Sequence, residues 1–381
     1  MSSWIGTGWA VLGLSLIIIF ALDLLLRLVL SDGRENDHAV DRLRAELVEV
    51  NDFAAPLLRE YHDSKEMVWS PYLYWQRQSF HGQHIRIGEN GRRHTWSPSM
   101  RSSPNELRVP QIFVFGGSTT WGAGARDDFT IPSLLAKQMH SANIAVHVHN
   151  FGESGYVNTQ SVMALMLELR SGNVPDIVVF YSGANDLFAA LQAGHAGEPQ
   201  NEGNRRQEFN LVKSRTRLAS LFLKRIFKGI DRLASRVHFS ETNARPVVEP
   251  KTLASEALDV YTGNLEVVEA LSEHFGFEAF FYWQPSVFSK AQRTRFEDSL
   301  VELRSAREQE TFLQASALIA ESEPLAMMPH FANLTHVFDD RPDPVFDDFI
   351  HVSETGNAVI ANAISRDLGA WLERGESQAP D

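Results

Sequence analysis

A serine that could act as a nucleophile follows the first predicted strand of the chain. Ser118 lies in the run FGGSTTWG, residues 115–122, directly after the apolar residues 111–115. Ligands of open α/β sheets bind beyond the carboxyl ends of the strands, and the glycines leave room for a tight turn and an acyl group. The same run also fits an ordinary turn in which Ser118 caps a helix. It is not a G-x-S-x-G elbow, because Thr120 replaces the second glycine.

The next two predicted strands also end in loops that contain glycine and asparagine. The second is followed by NFGESGY, residues 150–156, and the third by SGAND, residues 182–186. The backbone N–H of Gly155 and the side-chain amide of Asn185 are suitable donors for a developing oxyanion. Gly and Asn are also ordinary turn residues. Three such loops at consecutive strand ends nevertheless favour one shared site.

A fourth block, FDDFIHVS at residues 346–353, supplies a histidine and carboxylates just before a predicted helix. Asp348 and His351 are three residues apart, so a single turn can aim both side chains inward. The carboxylate would then fix the imidazole tautomer, and the imidazole would take the serine proton. Asp347 is a rival for the orienting role. A helix-capping network built from Asp348 and Ser353 is the structural alternative.

Together the four blocks resemble the SGNH (GDSL-like) hydrolase family over roughly residues 109–371. The family's defining Ser, Gly, Asn and His correspond to Ser118, Gly155, Asn185 and His351. The resemblance implies an α/β fold with a flavodoxin-like doubly wound parallel sheet. It implies Ser118 as nucleophile in a triad with Asp348 and His351. It also implies an oxyanion hole formed by the amides of Ser118 and Gly155 and the Asn185 side chain.

One position departs from the family pattern and bears on substrate. Gly117 stands where the older GDSL pattern has Asp, which weakens any transfer of lipase substrate preference. The chain is also similar to bacterial membrane-tethered members, which act on esters of envelope or extracellular glycans and sometimes transfer acetyl groups. The expected function is therefore a serine esterase that hydrolyses acyl, chiefly O-acetyl, esters of such glycans. Two alternatives stay open, an O-acyltransferase acting on a polysaccharide with the same triad and a noncatalytic anchored glycan-binding or scaffold protein.

The elements expected to position these residues alternate between β-rich and helical segments from residue 110 onward, which is typical of a parallel sheet with crossover helices. Apolar β-rich runs predict strands at Gln111–Phe115, Ala145–His149, Ile177–Tyr181, Glu278–Trp283 and Leu334–Phe338. Helical segments are predicted at about Ile131–Ser141, Thr159–Arg170, Thr252–Phe275, Arg293–Ala320 and Glu354–Trp371. We expect a hydrolase domain over 109–375 with an insertion at 187–250.

The first residues predict a membrane anchor over residues 1–30. Met1 to Leu22 contain no charged side chain, and Trp4–Leu22 alone is about the span of a bilayer core. A cleaved signal peptide is disfavoured, because a basic n-region and a small-x-small site are both missing. The expected partner is thus a lipid bilayer, with the catalytic domain on the periplasmic side by resemblance. The basic residues beyond the span, such as Arg27 and Arg34, instead favour a cytoplasmic body.

Two further segments carry recognisable patterns. Residues 31–108 are expected to form a stalk helix, at Asp37–Leu58, and an aromatic spacer in which Asn90-Gly91 marks a hairpin. The spacer's Trp and Tyr residues fit either a sugar groove or an interface packed under a loop. Within the insertion, Phe209–Phe239 holds eight Lys/Arg and one Asp and predicts a basic amphipathic helix. That helix fits an anionic membrane surface, a lid, or a solvated helix.

The composition limits the remaining function classes. The formal charge of −13 argues against nonspecific nucleic-acid binding, which needs a dense basic surface. The chain has no cysteine, so disulfides and thiolate chemistry are excluded. His147 and His149 could face the same way on a strand, and aspartates cluster at 339–348, but neither spacing matches a known metal site. With no Gly-rich phosphate loop of the known kinds, we expect no cofactor and no metal.

Overall fold

The computed structural model describes residues 53–98, 109–213 and 248–376, together with 13–15, 18 and 20. The chain divides into two units, one of Met1–Leu43 with Gly203–Pro246 and the other of Arg44–Glu202 with Val247–Asp381. Almost every described residue belongs to the second unit. This unit contains the sheet and all the predicted site residues.

The N-terminal part of this unit is built from one helix and two short hairpins. Helix α1 spans Ala54–Asp63, strands β1 (Met67–Ser70) and β2 (Tyr74–Arg77) pair antiparallel, and so do β3 (Phe80–His81) and β4 (Arg86–Ile87). Gly91 has a φ of 73°, and Ile87 bridges Arg93 across the turn. The Asn90-Gly91 hairpin is therefore confirmed. The predicted stalk helix, Asp37–Leu58, lies mostly outside the described residues.

Five parallel strands form the central sheet: β5 (Gln111–Gly116), β6 (His147–Gly152), β7 (Ile177–Ser182), β8 (Glu278–Trp283) and β9 (Phe331–Asn333). Their spatial order is β6-β5-β7-β8-β9, which is the 2-1-3-4-5 order of flavodoxin-like sheets. Every residue of β7 is buried, whereas burial alternates along the edge strand β6. Strands covered on both faces read as continuous apolar runs, which is why the sequence predicted the central strands well.

The helices of this unit connect the strands and cover the sheet. In chain order they are α2 (Ser118–Trp121), α3 (Ile131–Ser141), α4 (Asn158–Arg170), α5 (Ala184–Ala193), then, after α6 (Glu202–Lys213), which belongs to the first unit from Gly203 onward, α7 (Pro250–Phe275), α8 (Arg295–Glu302), α9 (Ala306–Glu321), α10 (Glu323–Met327) and α11 (Glu354–Glu376). Helix α3 packs against α11, and α7 packs against α4, α5 and α9. Right-handed crossovers in a sheet of this order place helices on both faces. The parallel α/β sheet is thus confirmed, and its strand order agrees with the predicted doubly wound plan.

Three predicted elements were wrong in detail. The second strand, expected at Ala145–His149, lies at His147–Gly152, so residues 150–152 of the predicted loop belong to the strand. The strand expected at Leu334–Phe338 lies instead at Phe331–Asn333, because the Asn333 side-chain oxygen accepts hydrogen bonds from the amide (3.0 Å) and hydroxyl (2.6 Å) of Thr335 and turns the chain. The single helix expected at Arg293–Ala320 is two helices. A capping box between Ser305 and Glu308 starts the second helix, α9, after a break.

The predicted membrane segment and basic helix fall largely outside the described residues. Only 13–15, 18 and 20 of the anchor are described, and they are helical. In the part of the chain that the structure describes, no helix is both long and apolar enough to cross a membrane. Of the basic stretch 209–239, the structure describes only 209–213, at the end of α6.

Candidate active site

Ser118 lies at the carboxyl end of β5, where the strand turns into the short helix α2. Gly117 takes the N-cap position in extended conformation, and Ser118 is the first helical residue. Ser118 therefore does not cap the helix, and the capping alternative is not what the fold shows. Its side chain is largely buried and points to the loop before α11. The turn thus presents a hydroxyl at the edge where open α/β sheets bind ligands.

The side chains of Asp348, His351 and Ser118 form one chain of short hydrogen bonds. His351 Nε2 lies 2.6 Å from Ser118 Oγ, and His351 Nδ1 lies 2.6 Å from Asp348 Oδ2. An ionised Asp348 holds the proton on Nδ1, so that Nε2 is left to accept the serine proton. The geometry is that of a nucleophile, a general base and an orienting carboxylate.

Asp348 also fixes the backbone that carries His351. Its Oδ1 atom accepts hydrogen bonds from the amides of Ile350, at 2.9 Å, and His351, at 2.7 Å. One carboxylate therefore turns the loop and orients the imidazole, so the capping and catalytic interpretations of this residue coexist. The amide of the rival Asp347 donates to the His351 carbonyl at 2.8 Å, whereas the ring contact belongs to Asp348.

The loops after β5, β6 and β7 bring the three predicted oxyanion donors to the same edge of the sheet. Gly155 has a φ of 77°, which glycine adopts without a steric penalty. Asn185 Nδ2 donates to the Tyr156 carbonyl at 2.9 Å, which ties the two loops together. Within the described residues, the backbone N–H groups of Ser118 and Gly155 donate no hydrogen bond, so both are available to a ligand oxygen.

Gly117 is required by the close approach of Asn185. A Cβ atom at position 117 would lie 2.2 Å from Asn185 Nδ2 and 3.6 Å from the Tyr156 carbonyl oxygen. The first distance is far below any normal contact, so a side chain there would displace the Asn185 amide. The Asp of the older GDSL pattern would therefore clash with the Asn185 amide at this position.

Gln200, in the insertion before α6, binds the side-chain oxygen of Asn185. Its Nε2 atom donates to Asn185 Oδ1 at 3.2 Å, while Asn185 Nδ2 donates to the Tyr156 carbonyl. A flipped amide would place Oδ1 against that carbonyl and Nδ2 against the Gln200 donor. The two contacts therefore select the orientation in which an N–H of Asn185 can face an oxyanion.

We expect Gln200→Ala to lower kcat about fivefold with little change in KM, because one hydrogen bond contributes about 1 kcal/mol to orienting Asn185. Steady-state kinetics on a small ester will measure this. The control is the same substitution in an Asn185→Ala background, where it should have no further effect. Equal losses in both backgrounds would show that Gln200 acts elsewhere.

The N-terminal segment positions the helix that carries Ser118. Trp121, at the end of α2, is fully buried between the guanidinium groups of Arg77 and Arg93, at 3.9 and 4.3 Å from its ring. Arg93 Nη1 also donates to the Gly122 carbonyl at 2.5 Å. Such cation–π contacts are strongest when desolvated. Two arginines of residues 31–108 thus pack against the helix that carries Ser118.

Burial shifts the ionisation of the groups that support this interface. Desolvation lowers the pKa of Arg93 to about 10, against the attraction of Asp127. It raises the pKa of Glu153, beside Gly155, to about 7, although the amide and guanidinium of Arg77 and the Ser154 amide oppose it. Arg77 Nε lies 3.5 Å from Glu153 Oε1. The ionisable side chains that support the site, Arg77, Arg93 and Glu153, are therefore almost completely buried.

Asp186 is a buried carboxyl next to Asn185. Both of its oxygens accept the Asn158 amide, at 3.0 and 3.2 Å. Burial raises its pKa from 3.8 to about 7, opposed by the amides of Asn158, Asp186 and Gly183. The group joins the start of α4 to the loop that carries Asn185.

We expect Asp186→Asn to flatten the dependence of stability on pH. Between about pH 4 and 7 the folded protein retains a proton on Asp186 that the unfolded chain has lost, so the free energy of unfolding falls as pH rises. The variant should lose this component, up to about 4 kcal/mol. Urea unfolding at pH 4, 5.5 and 7 will measure it, and parallel profiles for the two proteins would contradict the prediction.

An ion pair joins the loop after α2 to the helix after His351. Arg126 binds Glu354 through Nε at 2.8 Å and Nη2 at 2.5 Å, and its amide donates to the same carboxylate at 3.0 Å. The hydrogen bond to Glu354 raises the pKa of Arg126. A bidentate pair fixes direction as well as distance. It therefore fixes the position of the loop that follows Ser118 relative to the helix that follows His351.

Sequence reasoning missed several residues that shape the site. Arg77, Arg93 and Gln200 contact site loops from distant parts of the chain, and so does Trp75, which the sequence had marked only as one of the spacer's aromatic residues. The only local signal of the two arginines was composition, since aromatic and basic residues are common in 61–110, and Gln200 had none. Among the described residues no cluster of His, Asp or Glu could hold a metal. His149, one of the pair considered as ligands, instead meets Gln111 Oε1 at 2.7 Å.

The fold and this geometry define a class: a flavodoxin-like α/β protein with a Ser–His–Asp arrangement at the carboxyl edge of its sheet. The family model described as GDSL-like Lipase/Acylhydrolase matches residues 112–364, which is most of the chain. The chain belongs to this family of acylhydrolases. The resemblance seen in the sequence is thereby confirmed at the level of the family.

Solved structures with a similar fold include the acetyl xylan esterase AlAXEase, at 13% identity over 67% of this chain and 97% of that one, with a TM-score of 0.37. LAE5, an α/β hydrolase enzyme from the metagenome of Lake Arreo, Spain, is 15% identical over 68% and 95%, with a TM-score of 0.37. Axe2, an acetylxylan esterase from Geobacillus stearothermophilus, is 13% identical over 68% and 94%, with a TM-score of 0.35. No curated protein matches the sequence.

Proposed function

We propose that this protein is a serine esterase that hydrolyses O-acyl esters, chiefly O-acetyl esters, of envelope or extracellular glycans. The observation that carries the proposal is the continuous pair of 2.6 Å contacts from Asp348 through His351 to Ser118. Membership of the acylhydrolase family supports the reaction class. The glycan part of the proposal comes from the resemblance of the chain to membrane-tethered members.

In the proposed mechanism, Ser118 Oγ attacks the ester carbonyl carbon while its proton passes to His351 Nε2. The carbonyl oxygen becomes an oxyanion, which the amides of Ser118 and Gly155 and the side chain of Asn185 stabilise. The tetrahedral intermediate collapses as the alcohol oxygen takes the proton from His351. The acyl group then remains on Ser118.

Deacylation repeats these steps with water. His351 Nε2 removes a proton from water, the hydroxide attacks the acyl carbon, and the second tetrahedral intermediate expels Ser118 Oγ, which recovers the proton. Asp348 stays ionised throughout and holds the imidazole in place. If a sugar hydroxyl replaced water in this half-reaction, the same groups would perform acyl transfer.

The test is a kinetic comparison of p-nitrophenyl acetate, butyrate and octanoate with the purified full chain in detergent. We expect release of free acid, with the highest kcat/KM on acetate. Adding glycan acceptors at increasing concentration separates the two acyl-group fates. Acylated glycan formed at the expense of free acid would replace hydrolysis by transfer. No ester cleavage and no transfer would remove the proposal in favour of a noncatalytic glycan-binding protein.

We also propose that residues 1–30 anchor the protein in a bilayer with the catalytic domain on the periplasmic side. The uncharged run from Met1 to Leu22 supports an anchor, and so does the exposure of the helical side chains of Leu14, Ile18 and Phe20. A C-terminal alkaline phosphatase fusion should be active and a C-terminal fluorescent protein fusion that folds only in the cytoplasm should be dark. The reverse result would place the domain in the cytoplasm.

A further inference from the structure

An exposed aromatic surface lies on the β1–β2 hairpin, outside the residues used by the mechanism. We call this surface the aromatic hairpin; it consists of Trp69, Tyr72, Tyr74 and Trp75. The Trp69 side chain is 68% exposed and that of Tyr72 is 62% exposed. Tyr74 and Trp75 are half-buried. Large aromatic side chains bury most of their surface in folded proteins, so two exposed ones beside two half-buried ones mark a contact surface.

The register of the hairpin places two of these rings, Trp69 and Trp75, on one face that leads toward the site. Trp69 pairs with Trp75, so the two side chains share one face of the hairpin. Arg77, two residues beyond Trp75, shares that face and is buried against Trp121. From the helix that carries Ser118 outward, this face therefore presents the buried Arg77, the half-buried Trp75 and the exposed Trp69.

Trp75, in the middle of this face, contacts the loop after β6 that carries Gly155. Trp75 Nε1 donates to the Ser154 carbonyl at 2.8 Å, and the Tyr156 hydroxyl donates to the Trp75 carbonyl at 2.5 Å. The Trp75 ring lies 3.5 Å from the point a Cβ on Gly155 would occupy. Ring centroids are 6.5 Å apart between Tyr74 and Trp75 and 5.6 Å between Trp69 and Tyr74. The aromatic hairpin is thus continuous with the rim of the candidate active site.

Two residues of the aromatic hairpin, Tyr72 and Tyr74, have strained backbone conformations. Tyr72 and Tyr74 have φ values of 68° and 72°, in the left-handed region that bulky residues rarely adopt. Gly or Asn at these positions would relieve the strain. Strain of this kind persists at ligand contacts and functional loops. Tyrosine at both strained positions therefore points to a requirement for the rings themselves.

We propose that the aromatic hairpin binds the sugar rings of an acylated oligosaccharide whose ester group lies at Ser118. A pyranose ring has an apolar C–H face that fits an aromatic ring and a rim of hydroxyls that stays in water. The inference rests on the proposed esterase function and names the part of the molecule that would hold the alcohol side of the ester.

The surrounding charges favour a neutral sugar over an anionic lipid surface. The segment before the hairpin carries Asp63, Lys65 and Glu66 in exposed positions, a net acidic set. Peripheral segments that bind anionic bilayers instead combine aromatic residues with an excess of Lys and Arg. The hairpin has the aromatic part of that pattern and lacks the cationic part.

The test compares the full chain in detergent with its Trp69→Ala, Tyr72→Ala and Val68→Ala variants. Val68 is the matched control, because it is exposed on the same strand but is not aromatic and pairs with Gln76. The substrates are p-nitrophenyl acetate and partially O-acetylated cello-, xylo- and chito-hexaoses. We expect Trp69→Ala to raise KM for at least one hexaose about fivefold, in the range of an aromatic contact. Rates on p-nitrophenyl acetate and the Val68→Ala variant should stay at wild-type values.

A binding assay separates this inference from the esterase proposal. The Ser118→Ala variant, with and without Trp69→Ala, is titrated with the same hexaoses by calorimetry. Binding that needs Trp69 supports the sugar site even if the wild-type chain hydrolyses no ester, an outcome that would defeat only the proposed function. Ester hydrolysis with Trp69-independent KM and binding would overturn the sugar site alone. Trp69-dependent binding to phosphatidylglycerol vesicles, without oligosaccharide binding, would overturn it in favour of a lipid surface.

Discussion

Ser118→Ala and His351→Ala should each lower kcat on a small ester by about 10³-fold or more, the loss typical of removing a triad member. The reason is that His351 Nε2, 2.6 Å from Ser118 Oγ, takes the serine proton, while Asp348, 2.6 Å from His351 Nδ1, stays ionised and orients the ring. Residues that act as one unit give strongly non-additive losses. The Ser118→Ala/His351→Ala double variant should therefore be no slower than the worse single variant. Burst and steady-state kinetics on p-nitrophenyl acetate will measure all three.

The neighbouring aspartates provide a matched control for this prediction. Asp348→Asn keeps the shape of the side chain but removes the charge that holds the His351 tautomer, so kcat should fall by at least about 10²-fold. Asp347→Asn changes the carboxylate next to the one that binds His351 Nδ1. We expect it to retain activity within about tenfold of wild type. Equal losses in the two variants would contradict the assignment of Asp348.

Glu297→Ala should destabilise the protein by about 3–5 kcal/mol, the range found when one partner of a buried ion pair is removed. Glu297 and Lys290 are both fully buried, and Lys290 Nζ binds the two carboxylate oxygens at 2.8 and 2.7 Å. Glu297 Oε1 also accepts the Val345 amide at 3.0 Å, and Lys290 Nζ donates to the Asp343 carbonyl at 2.8 Å. The pair thus holds the segment that leads into Asp348. Urea unfolding will measure the loss.

Two control variants separate burial from charge in this test. Asp298, the residue after Glu297, is an exposed partner of Arg293. Its replacement by Ala should cost less than about 1 kcal/mol. Lys290→Met together with Glu297→Ala removes both charges and should recover most of the loss, because no buried ion is left unpaired. A Glu297→Ala protein no less stable than Asp298→Ala would show that the pair contributes little.

Local patterns were enough to predict the sheet and the loops at its edge. The buried strands β5, β7 and β8 are continuous apolar runs, and each is followed by a polar or glycine-containing turn. Such runs result directly from burial on both faces of a parallel sheet. The second strand was misplaced by two to three residues, and the other two errors lie where a side chain overrides the pattern. Asn333 ends β9 early, and the Ser305–Glu308 capping box divides a continuous helical pattern. That S-x-x-E signal was readable, whereas the Asn333 turn depends on where the strand pairs.

The sequence by itself determined which residue types stand at the strand ends, and it determined the three-residue spacing that lets Asp348 turn back to His351, because both are properties of a short piece of backbone. Only the tertiary structure decided that Ser118 meets His351 across 233 residues. It also decided that Arg77 and Arg93 enclose Trp121 and that Gln200 orients Asn185. These contacts depend on how separate elements pack, and packing is set by the summed burial of the whole core, which no local spacing records.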